Sequence, residues 1–106
     1  MKPFVNDATT ALLRAVGVNF VNFTLIVEEI RSRNWASATF VGARHELGFR
    51  ITGDGADAAA DRFAANLDAR EFTLRGHILA DIFLVSNEPC DDGARLRIEA
   101  LTVEDC

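Results

Sequence analysis

The stretch that decides the fold is WASATFVGARHELGFRIT, residues 35–52, which is followed by GDG at residues 53–55. From Val41 onward apolar and polar residues alternate, and a period of two is typical of a strand with one buried face. We therefore predict a long strand over residues 35–52. Its buried phase comprises Val41, Ala43, His45, Leu47, Phe49 and Ile51, and its polar phase comprises Arg44, Glu46 and Arg50.

The GDG segment separates this strand from a helical pattern. A glycine-rich turn before a helix is a feature of some phosphate-binding sites. Here the full GxGxxG pattern is absent, and Asp54, Asp57 and Asp61 would repel a phosphate. We interpret GDG as a structural turn that opens a helix. The apolar residues that follow at helical spacing are Ala56, Ala59, Ala60, Phe63, Ala64 and Leu67.

The remaining predicted elements lie before and after this region. With them the chain forms two units, each a helix followed by two strands. Gly17 is a suitable helix stop, and Asn6 and Asp7 are suitable N-caps. The other predicted elements are a helix from Asn6 or Asp7 to about residue 16, strands at about residues 20–31, 71–85 and 94–104, and turns at residues 32–34 and 87–93.

The element order is αββαββ, and a chain of 106 residues suits a single α+β domain over residues 1–106. The tripeptide Phe-Thr-Leu opens both predicted hairpins, at residues 23–25 and 72–74. This order resembles a circular permutation of the ferredoxin-like βαββαβ plait. The resemblance implies two layers, with a four-stranded antiparallel sheet and two helices on one face. It leaves the strand order open.

Composition excludes several classes of partner. Sixteen acids oppose eleven bases, ten of which are arginine, so the net charge is −5. Without a Lys/Arg block we expect no nucleic-acid binding and no binding to a membrane surface. The longest uncharged apolar run, residues 15–27, is too short to cross a bilayer. Cys90 and Cys106 form no CxxC motif, and the start of the chain shows no signal-peptide pattern, so we expect reduced thiols and a cytoplasmic location.

The face of the sheet opposite the helices carries the main functional signal. A monomer rarely leaves a large contiguous apolar surface in water. Our leading hypothesis is therefore a homodimeric, non-catalytic binding module that holds a protein partner or a small molecule on this open face. The residues predicted there are Ala38, Phe40, Leu79, Phe83, Val85, Leu101 and Val103.

Asp81 and His77 are the candidates for acid–base chemistry. They are predicted to share one strand face, but four residues of strand span about 13 Å, which is too far for a direct dyad. Asp81 lies in a very apolar run, so we expect a charged partner, such as an arginine from a neighbouring strand or a second subunit. The alternative function is a small enzyme that uses Asp81 or His77 as a general base at a subunit interface.

Arginines complete the set of candidate ligand-binding residues, which is Asp81, His77, Arg44, Arg75 and Arg97. Bidentate arginine contacts can hold a carboxylate or phosphate. Nearly equal numbers of acids and arginines on the same face favour a ladder of cross-strand ion pairs instead. That face is predicted to hold Arg44, Arg50, Arg75, Arg95 and Arg97 with Glu46, Glu71, Asp81 and Glu99.

His45 falls on the buried phase of its strand, which predicts a core histidine whose two nitrogens are hydrogen-bonded. His45 and His77 are predicted on opposite sides of the sheet, so they share no zinc site. No GxSxG or HExxH motif is present. We expect neither a metal nor a cofactor.

Overall fold

The structure, a computed structural model, describes residues 7–69 and 71–104. It is an α+β fold with a four-stranded antiparallel sheet in the order β1-β2-β4-β3. The predicted αββαββ order is confirmed, while the suggested cap at Asn6 and the state of Cys106 lie outside the described residues. The elements are α1 (Asp7–Gly17), β1 (Thr24–Ala36), β2 (Val41–Thr52), α2 (Ala56–Ala65), β3 (His77–Cys90) and β4 (Gly93–Glu104), with one-turn 3-10 helices at Val18–Phe20 and Leu67–Ala69.

One hydrophobic cluster joins both helices to one side of the sheet. We call this side of the sheet the inner face and define it by Leu47, Phe49, Ile51, Leu96 and Ile98, all of which are buried. The opposite side is the outer face. The predicted alternation of residues 41–51 is confirmed over Ala43–Ile51, because these odd-numbered residues are buried while Arg44 is exposed. Within the described residues no helix is both long and apolar enough to span a membrane.

The tip of the first hairpin lies further along the chain than predicted. Residues 32–34, expected to form the turn, remain in β1 opposite residues 43–45 of β2. The turn is formed by residues 37–40, where the Ser37 backbone N–H donates to the Phe40 carbonyl at 2.7 Å. The Ser37 hydroxyl also accepts the Phe40 N–H at 3.0 Å. A serine that binds the backbone locally stabilises a turn, and the polar side chains at residues 32–34 are tolerated because β1 is an edge strand.

The start of the third strand was also predicted too early. Residues 71–76 precede β3, and a tight turn joins Leu74 to His77 through an isolated bridge. Gly76 has φ of +76° in this turn, a conformation that glycine adopts without strain. Arg75, expected on the outer face, instead lies exposed in the turn. The predicted turn at residues 87–93 shrinks to residues 91–92, between β3 and β4.

A β-bulge at Ala80 reverses the predicted faces of residues 77–79, at the start of β3, whereas Asp81 and Phe83 lie on the outer face as predicted. Leu79 pairs with Thr102 of β4, and Asp81 pairs with Leu101, which is adjacent to Thr102. Ala80 is therefore the extra residue of the bulge. Leu79 consequently packs on the core rather than on the outer face. Ile78 lies on the outer face opposite Val103 and is 52% exposed.

Candidate binding surface

Cross-strand rows describe the outer face, because directly opposed residues in antiparallel strands project their side chains to the same side. Each row runs across the sheet in the order β1, β2, β4, β3. The row nearest the tip of the first hairpin consists of Trp35, Gly42, Val103 and Ile78. Gly42 makes room for the indole, since a Cβ there would come within 2.8 Å of the Trp35 ring and would collide with the Thr102 carbonyl oxygen.

Apolar side chains concentrate at this end of the outer face. Phe83 is 42% exposed, and Leu101 and Val103 are half-buried. Phe40, which was also expected on this face, lies instead in the hairpin tip and is exposed there, together with Ala38. Val85 is exposed at a second bulge in β3. We call the set Trp35, Ile78, Phe83, Leu101 and Val103 the apolar patch.

The next row consists of Arg33, Arg44, Leu101 and Asp81. The two arginines lie side by side on β1 and β2, and Asp81 lies on the far edge strand with Leu101 between. All three charged side chains are exposed. Among the described residues none forms an ion pair or hydrogen bond with any of the three, so the arginine partner expected for Asp81 is not found within the described chain.

The other end of the outer face is an ion-pair network. Glu28 binds Arg95 at 2.7 Å and Arg50 at 3.3 Å, and Glu29 binds Arg97. Hydrogen bonds from Arg95 and Arg97 hold the pKa values of Glu28 and Glu29 below their ordinary range. Of the candidate ligand-binding residues, Arg97 is therefore already engaged.

Sequence reasoning missed both glutamates of this network. Strict alternation places consecutive residues on opposite faces, yet a bulge between Val27 and Glu29 lets Glu28 and Glu29 both serve the outer face. Arg97 crosses β2 at Gly48, where an added Cβ would lie 3.3 Å from its guanidinium. The consecutive acids at residues 28–29 opposite a mid-strand glycine were the available signal.

His77 and Asp81 lie on opposite faces, contrary to the prediction, because the bulge at Ala80 falls between them. His77 lies opposite Glu104, in phase with buried Thr102, and so on the inner side. His77 therefore lies on the same side of the sheet as His45. The expectation that the two histidines lie on opposite sides was wrong. A hydrogen bond of 3.1 Å joins its Nδ1 to the Arg75 carbonyl. Groups of three or more metal-ligating side chains are absent from the described part of the chain.

His45 is a buried histidine with both nitrogens bonded, as predicted. Its side chain is 2% exposed, with Nδ1 2.8 Å from the Ser32 hydroxyl and Nε2 2.9 Å from the Thr102 hydroxyl. Burial lowers its pKa below the ordinary value of 6.5, with a smaller effect from His77. The contact between Ser32 and His45 resembles a catalytic pair in which a histidine acts as the base for a serine nucleophile. No carboxylate among the described residues orients the imidazole, however, so the contact gives the serine little activation.

A cavity of about 490 Å³ opens at the sheet end that holds Trp35. Ala8 of α1, the end of β1, the start of β2, His77 and Thr102 line it. In the part of the chain that the structure describes, nothing accepts a hydrogen bond from the buried Trp35 Nε1. The cavity has the size of a small-molecule site, and a ligand there would need an acceptor atom for the indole N–H.

Comparison with known proteins gives no relative: no family model, no curated protein and no solved structure matches the chain. The arrangement of the outer face is consequently the basis for assigning a function.

Proposed function

We propose that the chain is a self-associating binding module, a homodimer in which a second copy covers the outer face. The apolar patch carries this proposal. Its exposed members Ile78 and Phe83 adjoin half-buried Leu101 and Val103, and contiguous apolar surface of this kind favours burial against another protein. A second copy is the occupant that fits, because the charges beside the patch are self-complementary.

The alternative function, a small enzyme, has less support. His77 and Asp81 lie on opposite faces of the sheet, so they cannot act together on one substrate within a chain. His77 lines the cavity beside Trp35 but Asp81 does not, so this cavity holds only one of the two candidate bases. Arg97 and its neighbours are occupied by glutamates, which weakens the anion-binding alternative as well.

Two finer assignments belong to the same proposal. The sheet order β1-β2-β4-β3 is the order obtained when a βαββαβ plait begins at its first helix, which supports a two-layer, permuted ferredoxin-like fold. Cys90 is a free thiol among the described residues, which supports a cytoplasmic location.

A small ligand is a secondary candidate, favoured by the cavity and the unpaired Trp35 N–H. Trp35 is the sole tryptophan, so its fluorescence reports directly on occupancy. Titration with benzamide, which pairs an apolar ring with a carbonyl acceptor, is expected to shift the emission, and Trp35 emission that stays constant up to millimolar concentrations would remove this candidate.

Sedimentation equilibrium tests the homodimer. At micromolar concentration the wild-type chain should show about twice its mass of 11.6 kDa. Ile78→Asp should be monomeric, because an unpaired charge buried in an interface costs roughly 3–5 kcal/mol. The matched control is Val21→Asp, which changes an exposed valine outside the sheet and should stay dimeric. A monomeric wild-type chain would overturn the proposal.

A further inference from the structure

Three charged side chains at one level of the outer face have no partner among the described residues, and the inference drawn from them rests on the proposed self-association. Arg33 and Arg44 occupy β1 and β2, and Asp81 occupies β3. Like charges on directly opposed strand positions repel each other, so a negative partner facing the two arginines would be favourable. Asp81 is the acid in their row, but it is three strand spacings from Arg33, about 14 Å.

A two-fold axis supplies the missing partner. The central strands are β2 and β4. A two-fold axis parallel to the strands, above the gap between β2 and β4, places β1 of one copy over β3 of the other and β2 of one copy over β4 of the other. In that arrangement Arg33 of one copy faces Asp81 of the second copy, and the reverse holds by symmetry. The sheets would lie about 10 Å apart, a gap that arginine and aspartate side chains reach across.

The same axis matches the apolar row. Trp35 then faces Ile78 of the second copy, and Gly42, which has no side chain, faces Val103. The row beyond Arg33 and Arg44, away from the hairpin tip, contains Glu46 and Glu99 as neighbours on β2 and β4. The axis would bring Glu46 of one copy against Glu99 of the other, which are like charges. The contact is therefore centred on the two rows at the apolar end.

We propose that Asp81 of each copy pairs with the Arg33–Arg44 side of the other, so that these ion pairs fix the two-fold register of the homodimer. This arrangement accounts for the absence, among the described residues, of a partner for any of the three side chains. Asp81 is then a residue that determines partner geometry.

Charge reversal tests the pairing. Asp81→Arg gives a face with three positive charges in the row, and the double variant Arg33→Asp, Arg44→Asp gives three negative charges. Each should be monomeric alone, with a dissociation constant at least tenfold above the wild-type value. Mixed in equal amounts, the two should form a heterodimer, because every reversed charge then meets its opposite. The control Arg14→Asp, Arg62→Asp changes the net charge equally on the helices and should stay dimeric.

The outcomes separate the two proposals. A monomeric wild-type chain would overturn self-association itself. A dimeric wild-type chain with dimeric reversed variants, or with variants that are monomeric both alone and when mixed, would overturn the pairing and leave self-association intact. The altered side chains are exposed, so the fold should survive, as circular dichroism would establish. If a reversed variant unfolds, Asp81→Asn and Arg33→Gln with Arg44→Gln make the comparison: at least tenfold weaker association supports the pairing, and wild-type association contradicts it.

Discussion

His45 is a polar side chain held in the core by two hydroxyl groups, those of Ser32 on β1 and Thr102 on β4. The neutral ring protonated at Nε2 satisfies every partner: Ser32 donates to Nδ1, Nε2–H donates to Thr102, and Thr102 donates to the Ala43 carbonyl. The Ser32 hydroxyl in turn bonds to that of Thr9 on α1, at 2.9 Å. The chain of bonds therefore links α1 to the sheet through the side chains of Thr9, Ser32, His45 and Thr102.

Stability should consequently fall as pH drops below about 6.5, because the unfolded histidine binds a proton there while the folded one, whose pKa is lowered by burial, does not. Each unit by which the pKa is lowered is worth about 1.4 kcal/mol. Urea unfolding at pH 7.5 and pH 5.5 measures the loss. His45→Gln should show a smaller loss over this interval, and an identical loss would show that another group causes it.

The sequence sufficed for His45 but not for Asp81. The position of His45 in a regular period of two predicted its burial, and burial of a polar ring required partners. For Asp81 the surrounding apolar letters implied an enclosed carboxylate. The regular alternation of β3 already places Asp81 on the outer face, where the structure has it, but its side chain is exposed there and has no partner among the described residues. What the sequence did not show is the bulge at Ala80, which places His77 on the opposite face.

At the scale of the elements, α2 is held mainly by Phe63. This ring is 1% exposed, and its centroid lies 5.0 Å from that of Phe20 and 6.4 Å from that of Phe72. Phe20 was predicted to begin a strand, but it ends a 3-10 turn after α1 and enters the core there. The aromatic cluster thus joins both helical segments and the approach to β3.

Phe63→Ala should cost about 3–5 kcal/mol of the free energy of unfolding, because it removes a buried ring and leaves a cavity. Chemical denaturation measures the cost. The matched control is Phe40→Ala at the exposed hairpin tip, expected to cost less than about 1 kcal/mol. Equal costs for the two variants would contradict the packing of α2 described above.

The central and edge strands differ in how far the sequence predicts them. β2 and β4 pair without a register shift, so the alternation of apolar and polar residues in the sequence correctly gives the buried face of each strand. β1 has one bulge and β3 has two, and each bulge exchanges the faces of the residues beyond it. Such irregularities are common in edge strands, where they hinder open-ended pairing. This is why the outer-face assignment of Leu79 was wrong.

At the scale of the whole molecule, the order of helices and hairpins was predictable, because turns and periodicities are local. The order of strands was not, since the pairing of β2 with β4 joins residues about fifty positions apart. Nor could the sequence show that the charged side chains of the outer face divide into an ion-pair network at one end and, at the other, three groups that have no partner in residues 7–69 and 71–104. That division, beside the apolar patch, makes the face suitable for a second copy.

Intermolecular nuclear Overhauser effects test the covering of the outer face most directly. A mixture of ¹³C-labelled and unlabelled chain, filtered for contacts between copies, should show cross-peaks from the methyl groups of Leu101 and Val103 and from the Phe83 ring. Cross-peaks that arise instead from Val27 and Ile30, which are exposed on the inner side of β1, would place the second copy elsewhere. A complete absence of intermolecular cross-peaks at millimolar concentration would contradict self-association altogether.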